Sequence, residues 1–292
     1  MTVVVVGDAG FDVLAKPDGP IVVGGDRRAG VRMALGGAGA NTAAWLAHLG
    51  AATTLVGRVG DDPAGRQVRA ELTGAGVRCA LTVDPHASTC CVVVLVDERG
   101  QRTMLADRGA GTRLHATDLP AALLADARHL HLSGYVLLDA TSRPAGIAML
   151  GAARAAGLTT SVDPQAAALL TDPAGFLAAV AGVDLLLPNT AELTALTGSP
   201  DPAAANTLLS RVGAVALTRG PAGACWIDRN GVVSVPADPV DSVDTTGAGD
   251  AFDAATLISW LAGAARRDVL RAGVAAGSSA VTRLGAQPLS RR

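Results

Sequence analysis

The most informative segment of this chain reads Asp244-Thr245-Thr246-Gly247-Ala248-Gly249-Asp250-Ala251-Phe252. It lies between an extended, valine-rich stretch and an amphipathic helix, so it predicts a turn at a helix start. A glycine-rich turn in that position leaves backbone N–H groups free to bind an anion. The turn also carries the carboxylate of Asp250, which either caps the helix or acts as a base. An anion site beside a base is what phosphoryl transfer to a hydroxyl requires.

Apolar β-branched runs alternate with alanine-rich helical stretches through the rest of the chain. The predicted strands cover residues 3–6, 53–56, 129–132, 159–162, 185–187 and 215–218. The predicted helices cover residues 41–49, 64–72, 147–155, 191–196, 251–261 and 269–281. This alternation predicts an α/β fold in which a mostly parallel sheet carries helices on both faces. Ligands collect at the carboxyl ends of the strands in such sheets.

Two regions interrupt this alternation. Residues 11–35 are rich in glycine, proline and valine and have no helical period. Residues 89–97 and 102–106 are typical of a hairpin that turns across residues 98–101. The two regions, 11–35 and 89–106, predict a small β-sheet lid inserted in a single domain of residues 1–292. Plain surface loops are the alternative.

Composition excludes several classes of protein. The 292 residues are 49% hydrophobic with a formal net charge of −2, so no basic excess favours nucleic-acid binding. No apolar run predicts a membrane span, and the N-terminus is typical of a buried strand and not of a signal peptide. Cys79, Cys90, Cys91 and Cys225 lack zinc spacing, so we expect reduced thiols in a cytoplasmic protein. Lys16 is the only lysine, and no Walker loop occurs.

Three further motifs are suited to ligand binding. Gly36-Gly37-Ala38-Gly39-Ala40-Asn41 permits close backbone contact with a ligand, and is equally typical of a turn before a helix. Pro188-Asn189-Thr190-Ala191-Glu192 fits a capping box, in which Asn189 caps a helix and Glu192 reaches back. Thr218-Arg219-Gly220-Pro221-Ala222-Gly223 is a strand-end turn that could contact a nucleotide.

Single polar residues near the predicted strands have two interpretations each. Asp12 lies just beyond the first strand, where a carboxylate can accept hydrogen bonds from vicinal hydroxyls; the alternative is a solvated loop acid. His129 and His131 alternate on one strand face. Because no acidic or cysteine cluster lies near them in sequence, we expect packed or hydrogen-bonded histidines and not metal ligands.

At these motifs the chain resembles the PfkB, or ribokinase-like, carbohydrate kinase family, and the resemblance runs nearly end to end. Residues 244–252 resemble the family's C-terminal signature, and residues 36–41 resemble its N-terminal signature. Residues 188–192 and 218–223 fall where the family has its metal-phosphate and nucleotide segments. Residues 283–288 resemble the late loop that helps to hold a monovalent cation. The resemblance implies a three-layer ribokinase-like α/β fold with a β lid, and an ATP-dependent kinase that phosphorylates a primary hydroxyl of a sugar.

The resemblance also implies a role for each matching residue. The implied catalytic residues are Asp250, as the base, and Gly247, Ala248 and Gly249, whose amides form the anion hole. The implied sugar site comprises Asp12, Gly37, Asn41 and Asp250. The implied nucleotide site comprises Asn189, Glu192, Thr218, Gly220, Gly223 and Gly249, with Glu192 also organising Mg²⁺ through water. The implied monovalent-cation site comprises Asp244, Thr246, Ala280, Arg283 and Gly285. The implied cofactors are ATP, Mg²⁺ and K⁺, and the lid is the implied interface of a homodimer.

Departures from the family leave the acceptor open. Ala38 stands where ribokinase has a lysine, and Ser133 stands where it has a substrate glutamate, so ribose is disfavoured and a bulkier acceptor could fit. A nucleoside of the pseudouridine or adenosine type is therefore the alternative substrate, with Phe11 and Tyr135 available for stacking. Gly273 stands where the family often has a polar residue near adenine.

Two other classes of function compete with a kinase. A dinucleotide-binding oxidoreductase would explain a first strand followed by Gly7-Asp8-Ala9-Gly10, but the full G-x-G-x-x-G pattern is missing. A catalytically silent sugar-binding relative is disfavoured by the intact Asp250 and its glycine turn.

Overall fold

The computed structural model describes residues 1–97 and 102–288, so the turn predicted over residues 98–101 lies outside the described residues. The strands are β1 (Thr2–Val6), β2 (Gly10–Pro17), β3 (Ala29–Gly36), β4 (Ala52–Gly60), β5 (Arg78–Asp84), β6 (Cys90–Val96), β7 (Arg102–Asp107), β8 (His129–Ser133), β9 (Thr159–Asp163), β10 (Leu185–Leu186), β11 (Ala214–Thr218), β12 (Ala224–Asp228) and β13 (Gly231–Val235). The α-helices are α1 (Ala38–His48), α2 (Pro63–Gly74), α3 (Ala121–Ala125), α4 (Tyr135–Leu138), α5 (Arg143–Ala155), α6 (Pro173–Ala179), α7 (Thr190–Thr197), α8 (Ala248–Leu261) and α9 (Arg266–Val281).

The larger sheet has nine strands in the order β13-β12-β11-β10-β9-β8-β1-β4-β5. The strands from β11 to β5 pair in parallel, and β12 and β13 add antiparallel at one edge. The predicted mostly parallel sheet is confirmed. Sequence reasoning missed the β12–β13 hairpin, although Asn230-Gly231 is a strong signal for the tight turn of a hairpin.

Helices cover both faces of this sheet. Side chains alternate between the two faces along each strand, so a single strand contributes to both cores. Val4 and Val6 of β1 belong to one core, and Val3 and Val5 belong to the other. The first core is completed by Leu137, Met149, Phe176 and Leu193, from α4, α5, α6 and α7. The second is completed by Trp45, Val68, Leu257 and Leu270, from α1, α2, α8 and α9. The predicted three-layer α/β architecture is confirmed.

The lid is a separate four-stranded sheet in the order β3-β2-β6-β7. Its strands extend one residue beyond the two regions predicted for it, to Gly10, Gly36 and Asp107. β2 pairs antiparallel with β3 and parallel with β6, and β6 pairs antiparallel with β7. This register gives the lid two apolar faces. The inner face carries Asp12, Leu14, Ala34, Val92, Val94 and Met104, which line a cavity. The outer face carries the cross-strand row Met33, Val13, Val93 and Leu105.

Three local features bear on the expectations from sequence. Lys16 lies exposed near the end of β2 in the lid. The buried imidazoles of His129 and His131 both contact the hydroxyl of Ser161, at 2.7 and 2.8 Å, so the prediction of hydrogen-bonded histidines is confirmed. Within residues 1–97 and 102–288, no helix has the length and apolarity that crossing a membrane requires.

Candidate active site

Three cavities lie at the carboxyl ends of the parallel strands. The lid cavity, of about 190 Å³, lies under Leu14, Val94 and Met104 of the lid. The carboxylate cavity, of about 170 Å³, is lined by the acids Asp163, Glu192, Asp250 and Asp253. The helix cavity, of about 570 Å³, is lined by Phe252, Val274 and Val281 of α8 and α9.

The carboxylate cavity adjoins the other two. The residues that it shares with the lid cavity are Gln165, Gly247 and Asp250. The residues that it shares with the helix cavity are Asn189, Thr218 and Gly249. A small group bound under the lid and a larger group bound beside α8 would therefore meet at the glycine turn that begins α8.

Asp250 lies in the first turn of α8 and is buried. The helix is capped by Gly247 without a side-chain hydrogen bond, so the interpretation of Asp250 as a helix cap is wrong. Its Oδ2 accepts a hydrogen bond from Asn41 Nδ2 at 3.0 Å, and Oδ1 lies 3.5 Å from Thr42 Oγ1. Burial, followed by the nearby charge of Asp163, raises the pKa of Asp250 to about 8. A carboxylate with such a pKa is a stronger base than an exposed one.

The glycine turn presents backbone amides at the start of α8. Gly247 has a left-handed φ of 76°, which a residue with a side chain adopts only under strain. A Cβ atom at Gly247 would lie 2.4 Å from the carbonyl oxygen of Ala286, so the turn packs tightly on the 283–287 loop. The Ala248 N–H makes a long bond of 3.4 Å to the carbonyl of Thr245. Gly249 lines both the carboxylate and helix cavities, where its lack of a side chain leaves room for an anion.

The predicted sugar residues Asp12, Gly37 and Asn41 all line the lid cavity together with Asp250. Burial raises the pKa of Asp12 to about 6, with smaller contributions from the carboxylates of Asp8 and Asp244. Gly37 has a φ of 94° and approaches the Asp8 carbonyl so closely that a Cβ atom would lie 2.7 Å from that oxygen.

Arg108 also lines the lid cavity, and sequence reasoning missed this residue. Its guanidinium lies 3.5 Å from the ring centroid of Tyr135, a cation–π contact, and 3.6 Å from the carboxylate of Asp8. Asp8 follows β1 and also accepts a hydrogen bond from the Gly39 amide at 3.3 Å. Arg108 therefore joins the end of the lid strand β7 to the floor of the cavity.

The predicted nucleotide residues divide between two cavities. Asn189, Thr218, Gly220, Gly223 and Gly249 line the helix cavity, whereas Glu192 lines the carboxylate cavity. Gly273 does not line the helix cavity. A Cβ atom there would lie 2.3 Å from Thr256 Oγ1 and 2.7 Å from the ring of Phe252, so close packing of α8 against α9 explains this glycine.

The capping box predicted at the start of α7 is confirmed. Asn189 Oδ1 accepts from the Glu192 amide at 2.9 Å, and Glu192 Oε2 accepts from the Asn189 amide at 2.8 Å. Glu192 Oε1 also accepts from Asn189 Nδ2 at 2.6 Å. Burial, followed by the charge of Asp163, raises the pKa of the buried Glu192 carboxyl group.

The donor set of the carboxylate cavity suits Mg²⁺, which prefers oxygen ligands and keeps several waters. Asp163 and Asp253 share a hydrogen bond, and burial raises the pKa of both. Asp253 Oδ2 is buried with no hydrogen-bond partner among the described residues. A divalent cation would supply the missing counter-charge. Across residues 1–97 and 102–288, no group of three or more acidic, histidine or cysteine side chains is placed to hold a metal ion.

Of the residues predicted for a monovalent cation, Thr246 and Gly285 contact Asp244. Its buried carboxylate accepts hydrogen bonds from the amides of Thr246, at 2.8 Å, and Gly285, at 3.0 Å. Ala280 is buried near the end of α9. Arg283 follows in the same loop as Gly285, and its Nε is buried without a hydrogen-bond partner among the described residues.

Trp45 of α1 fixes this loop from the other side. Its indole N–H donates to the carbonyl of Ala286 at 2.9 Å, and the guanidinium of Arg283 lies 5.0 Å from its ring centroid. Ala286 is also the residue that contacts Gly247. The glycine turn, the 283–287 loop and α1 are therefore packed as one unit.

Asp163, Gln165 and Asp253 are further members of the site that sequence reasoning missed. Asp163 ends β9, and a carboxylate at the carboxyl end of a parallel strand is a signal that could have found it. Asp253 follows Asp250 by one helical turn, so it faces a similar direction. Nothing in the sequence alone distinguishes Gln165 from an ordinary turn residue.

The sequence and structure of known proteins match this chain over most of its length. Residues 1–291 match the family described as pfkB family carbohydrate kinase. The chain belongs to the pfkB family of carbohydrate kinases. The expected kinase class is confirmed by this membership, and the oxidoreductase alternative is wrong. The fold agrees, since the chain after β1 enters the lid strand β2 and not the helix that a dinucleotide site requires.

Named relatives of this pfkB kinase include enzymes with different acceptors. A fructokinase from Klebsiella pneumoniae is 34% identical over 267 residues, covering 87% of this chain and 82% of the relative. An ATP-dependent ribose-1-phosphate kinase from Halopiger xanaduensis is 32% identical over 252 residues, covering 86% and 79%. The structure of a candidate ribokinase II from E. coli, in complex with ATP and Mg²⁺, is 26% identical with a TM-score of 0.87, covering 98% and 94%.

Proposed function

We propose that this pfkB kinase transfers the γ-phosphoryl group of ATP to a primary hydroxyl of an uncharged sugar. The observation that carries the proposal is the position of Asp250. It lines both the lid cavity and the carboxylate cavity, beside the amides that begin α8. An acceptor in the lid cavity and a nucleotide in the helix cavity would meet there.

In the proposed chemistry, one group accepts the proton of the attacking hydroxyl, and other groups stabilise the negative charge of the phosphoryl group. Asp250 accepts the proton of the attacking hydroxyl, and its raised pKa suits it to that task. The amides of Gly247, Ala248 and Gly249 stabilise negative charge on the phosphoryl group. Asn41 holds the Asp250 carboxylate by its 3.0 Å hydrogen bond. Mg²⁺ bound near Glu192, Asp163 and Asp253 would neutralise phosphate charge.

The charge of the lid cavity supports a neutral acceptor. Its charged lining comprises the acids Asp8, Asp12, Asp244 and Asp250 and the base Arg108. Arg108 is already paired with Asp8. A sugar phosphate would bring further negative charge into this surrounding, so the similarity to the fructokinase is the better guide than that to the ribose-1-phosphate kinase.

The alternative nucleoside acceptor, of pseudouridine or adenosine type, receives less support. Phe11 is buried in the core and does not line the lid cavity. Tyr135 does line it, but one face of its ring is covered by the guanidinium of Arg108. A nucleobase would have to displace Arg108 in order to stack on that face.

The remaining partners are proposed on similar grounds. K⁺ would bind beside Asp244, Thr246, Ala280, Arg283 and Gly285, largely through backbone carbonyls. A homodimer would cover the outer face of the lid, where Met33 is 65% exposed and Leu105 is 57% exposed. We place the enzyme in the cytoplasm as a single domain of residues 1–292, and its four free cysteines are compatible with a reducing compartment.

An acceptor screen tests the proposal. ATP consumption would be measured with free pentoses and hexoses, their phosphates and nucleosides, each with and without K⁺. We expect turnover with a free sugar and little with sugar phosphates. Turnover confined to nucleosides or sugar phosphates would replace the proposed acceptor. Asp250→Asn, assayed with the best acceptor, separates transfer at this site from contaminating activity.

A further inference from the structure

Gln165 has an unusual backbone conformation where two cavities meet. Within the described residues it is the one non-glycine residue with a left-handed backbone, with a φ of 73°. It lies half-buried two residues beyond β9. Side chains disfavour this conformation, whereas glycine adopts it freely. The presence of glutamine at this point therefore indicates a role for its side chain.

Asp163 holds both the backbone and the side chain of Gln165. The Gln165 N–H donates to Asp163 Oδ1 at 2.9 Å, and Gln165 Nε2 donates to Asp163 Oδ2 at 2.6 Å. Asp163 is in turn fixed by the Gly134 N–H, which donates to its carbonyl oxygen at 2.7 Å. A Cβ atom at Gly134 would lie 2.4 Å from that oxygen, so the support is closely packed.

These contacts orient the amide of Gln165. Because Nε2 is used toward the Asp163 carboxylate, Oε1 lies on the other side of the amide, and none of the described residues donates a hydrogen bond to it. The residue lines the lid cavity and the carboxylate cavity together with Asp250. Oε1 is a neutral oxygen that can only accept, and sugar hydroxyls are donors that would satisfy it.

We propose that Gln165 Oε1 accepts a hydrogen bond from a hydroxyl of the acceptor sugar other than the hydroxyl that is phosphorylated. Gln165 is then a specificity-determining residue of the acceptor site, and this inference rests on the proposed function. The hydrogen bonds to Asp163 hold the amide before the sugar arrives, so that binding does not have to order it. A site built to accept this hydroxyl discriminates against sugars that lack it.

The test combines Gln165→Gly with sugars that lack one hydroxyl each. Steady-state kcat and KM would be measured for wild type and variant with the best free sugar and its deoxy analogues, with the KM for ATP measured in parallel. Glycine relieves the backbone strain but removes the 2.6 Å hydrogen bond to Asp163, so we expect a thermal stability close to that of wild type. We expect the KM of Gln165→Gly for the sugar to rise roughly five- to tenfold, as for one neutral hydrogen bond, with the KM for ATP unchanged.

One deoxy analogue identifies the contact. For wild type, loss of the hydroxyl that Gln165 binds should raise KM by a similar factor, whereas Gln165→Gly should not distinguish that analogue from the parent sugar. Equal KM values for variant and wild type, or a change in the KM for ATP in place of the sugar, would overturn the inference alone. Wild-type protein that phosphorylates no sugar would overturn the proposed function and the inference together. If Gln165→Gly does not fold, Gln165→Asn takes its place, because asparagine tolerates this backbone and its amide is one methylene shorter.

Discussion

Asn41 donates a 3.0 Å hydrogen bond to Asp250 across 209 residues of sequence, and both side chains are buried. Asn41 lies in α1 and Asp250 in α8, so this bond joins the two glycine-rich motifs of the chain. It favours the ionised form of Asp250 against the burial that opposes it. Asn41, which lines the lid cavity, thus adjusts the basicity of Asp250, the group proposed to take the proton of the sugar hydroxyl.

Replacement of Asp250 by asparagine should remove most of the turnover. Asparagine keeps the size of the side chain but cannot accept the proton, so we expect kcat to fall by about a hundred- to ten-thousand-fold. ATP affinity, measured by calorimetry, should stay close to that of wild type. Asp268→Asn is the control, because Asp268 is exposed in α9, and it should turn over normally. An Asp250→Asn variant with near wild-type kcat would show that another group takes the proton.

The free energy of unfolding, measured without divalent cations, should fall between about pH 6.5 and pH 8. Burial raises the pKa of Asp250 to about 8 and that of Asp12 to about 6 in the folded protein. An unfolded aspartate has a pKa of about 3.9, so the folded state holds more protons across this window. Below about pH 6.5 the buried His129 and His131, whose pKa values burial lowers to about 3 and about 4, oppose this effect because they bind protons only in the unfolded state. Above that pH, stability declines as pH rises, since deprotonation leaves buried negative charge.

Urea unfolding at half-unit pH steps checks this dependence. Asp250→Asn should give a shallower decline than wild type, because one buried titrating group is gone, whereas Asp268→Asn should follow wild type. A wild-type stability that rises from pH 6.5 to pH 8 would contradict the assignment. Added Mg²⁺ should reduce the decline, because a cation in the carboxylate cavity favours the ionised acids.

Replacement by alanine should have different effects at Gly247 and at Gly249, two glycines of the same turn. Gly247→Ala forces a side chain into a left-handed φ of 76° and against Ala286, so we expect a loss of about 1 to 3 kcal/mol in stability together with loss of activity. Gly249→Ala meets no neighbouring atom within 4 Å and should unfold like wild type. Its new methyl group would project where the nucleotide phosphates are proposed to bind, so the KM for ATP should rise. Thermal melts and ATP kinetics on both variants check the contrast.

The outer face of the lid should mediate association. Leu105→Asp places a charge in the exposed apolar row of the lid and should convert a dimer to monomers in sedimentation velocity. Val232→Asp is the matched control, because Val232 is a 51% exposed valine on the edge strand β13 of the larger sheet, away from the lid. A wild-type protein that sediments as a monomer would contradict the proposed interface.

Local patterns predicted most of the fold because the helices and parallel strands carry strong periodic signals. Each strand and helix predicted for the larger sheet and its two helical layers is found. The helices begin up to four residues earlier than predicted, as for α5, which begins at Arg143. The glycine turn and Asp250 were predictable because they are contiguous in sequence. Asp163 carried only the weaker signal of a carboxylate at a strand end, and Gln165 was not predictable, since its orientation depends on hydrogen bonds to Asp163.

The surroundings of single side chains were also beyond sequence reasoning. Tyr135 looked available for stacking, but Arg108 covers one face of its ring. Gly273 looked like a lost adenine contact, whereas its place is set by Phe252 and Thr256. Both outcomes depend on contacts between segments that are distant in the chain, and no local pattern encodes them.

Lys16 provides a site at which the lid can be labelled. It is the only lysine in the sequence, and its side chain is exposed on β2, whose residue Asp12 lines the lid cavity. An amine-reactive fluorophore, applied after the N-terminal amine is blocked, would therefore attach at one defined position. The emission of such a label would report the position of the lid as sugar and nucleotide are added, in otherwise unmodified protein.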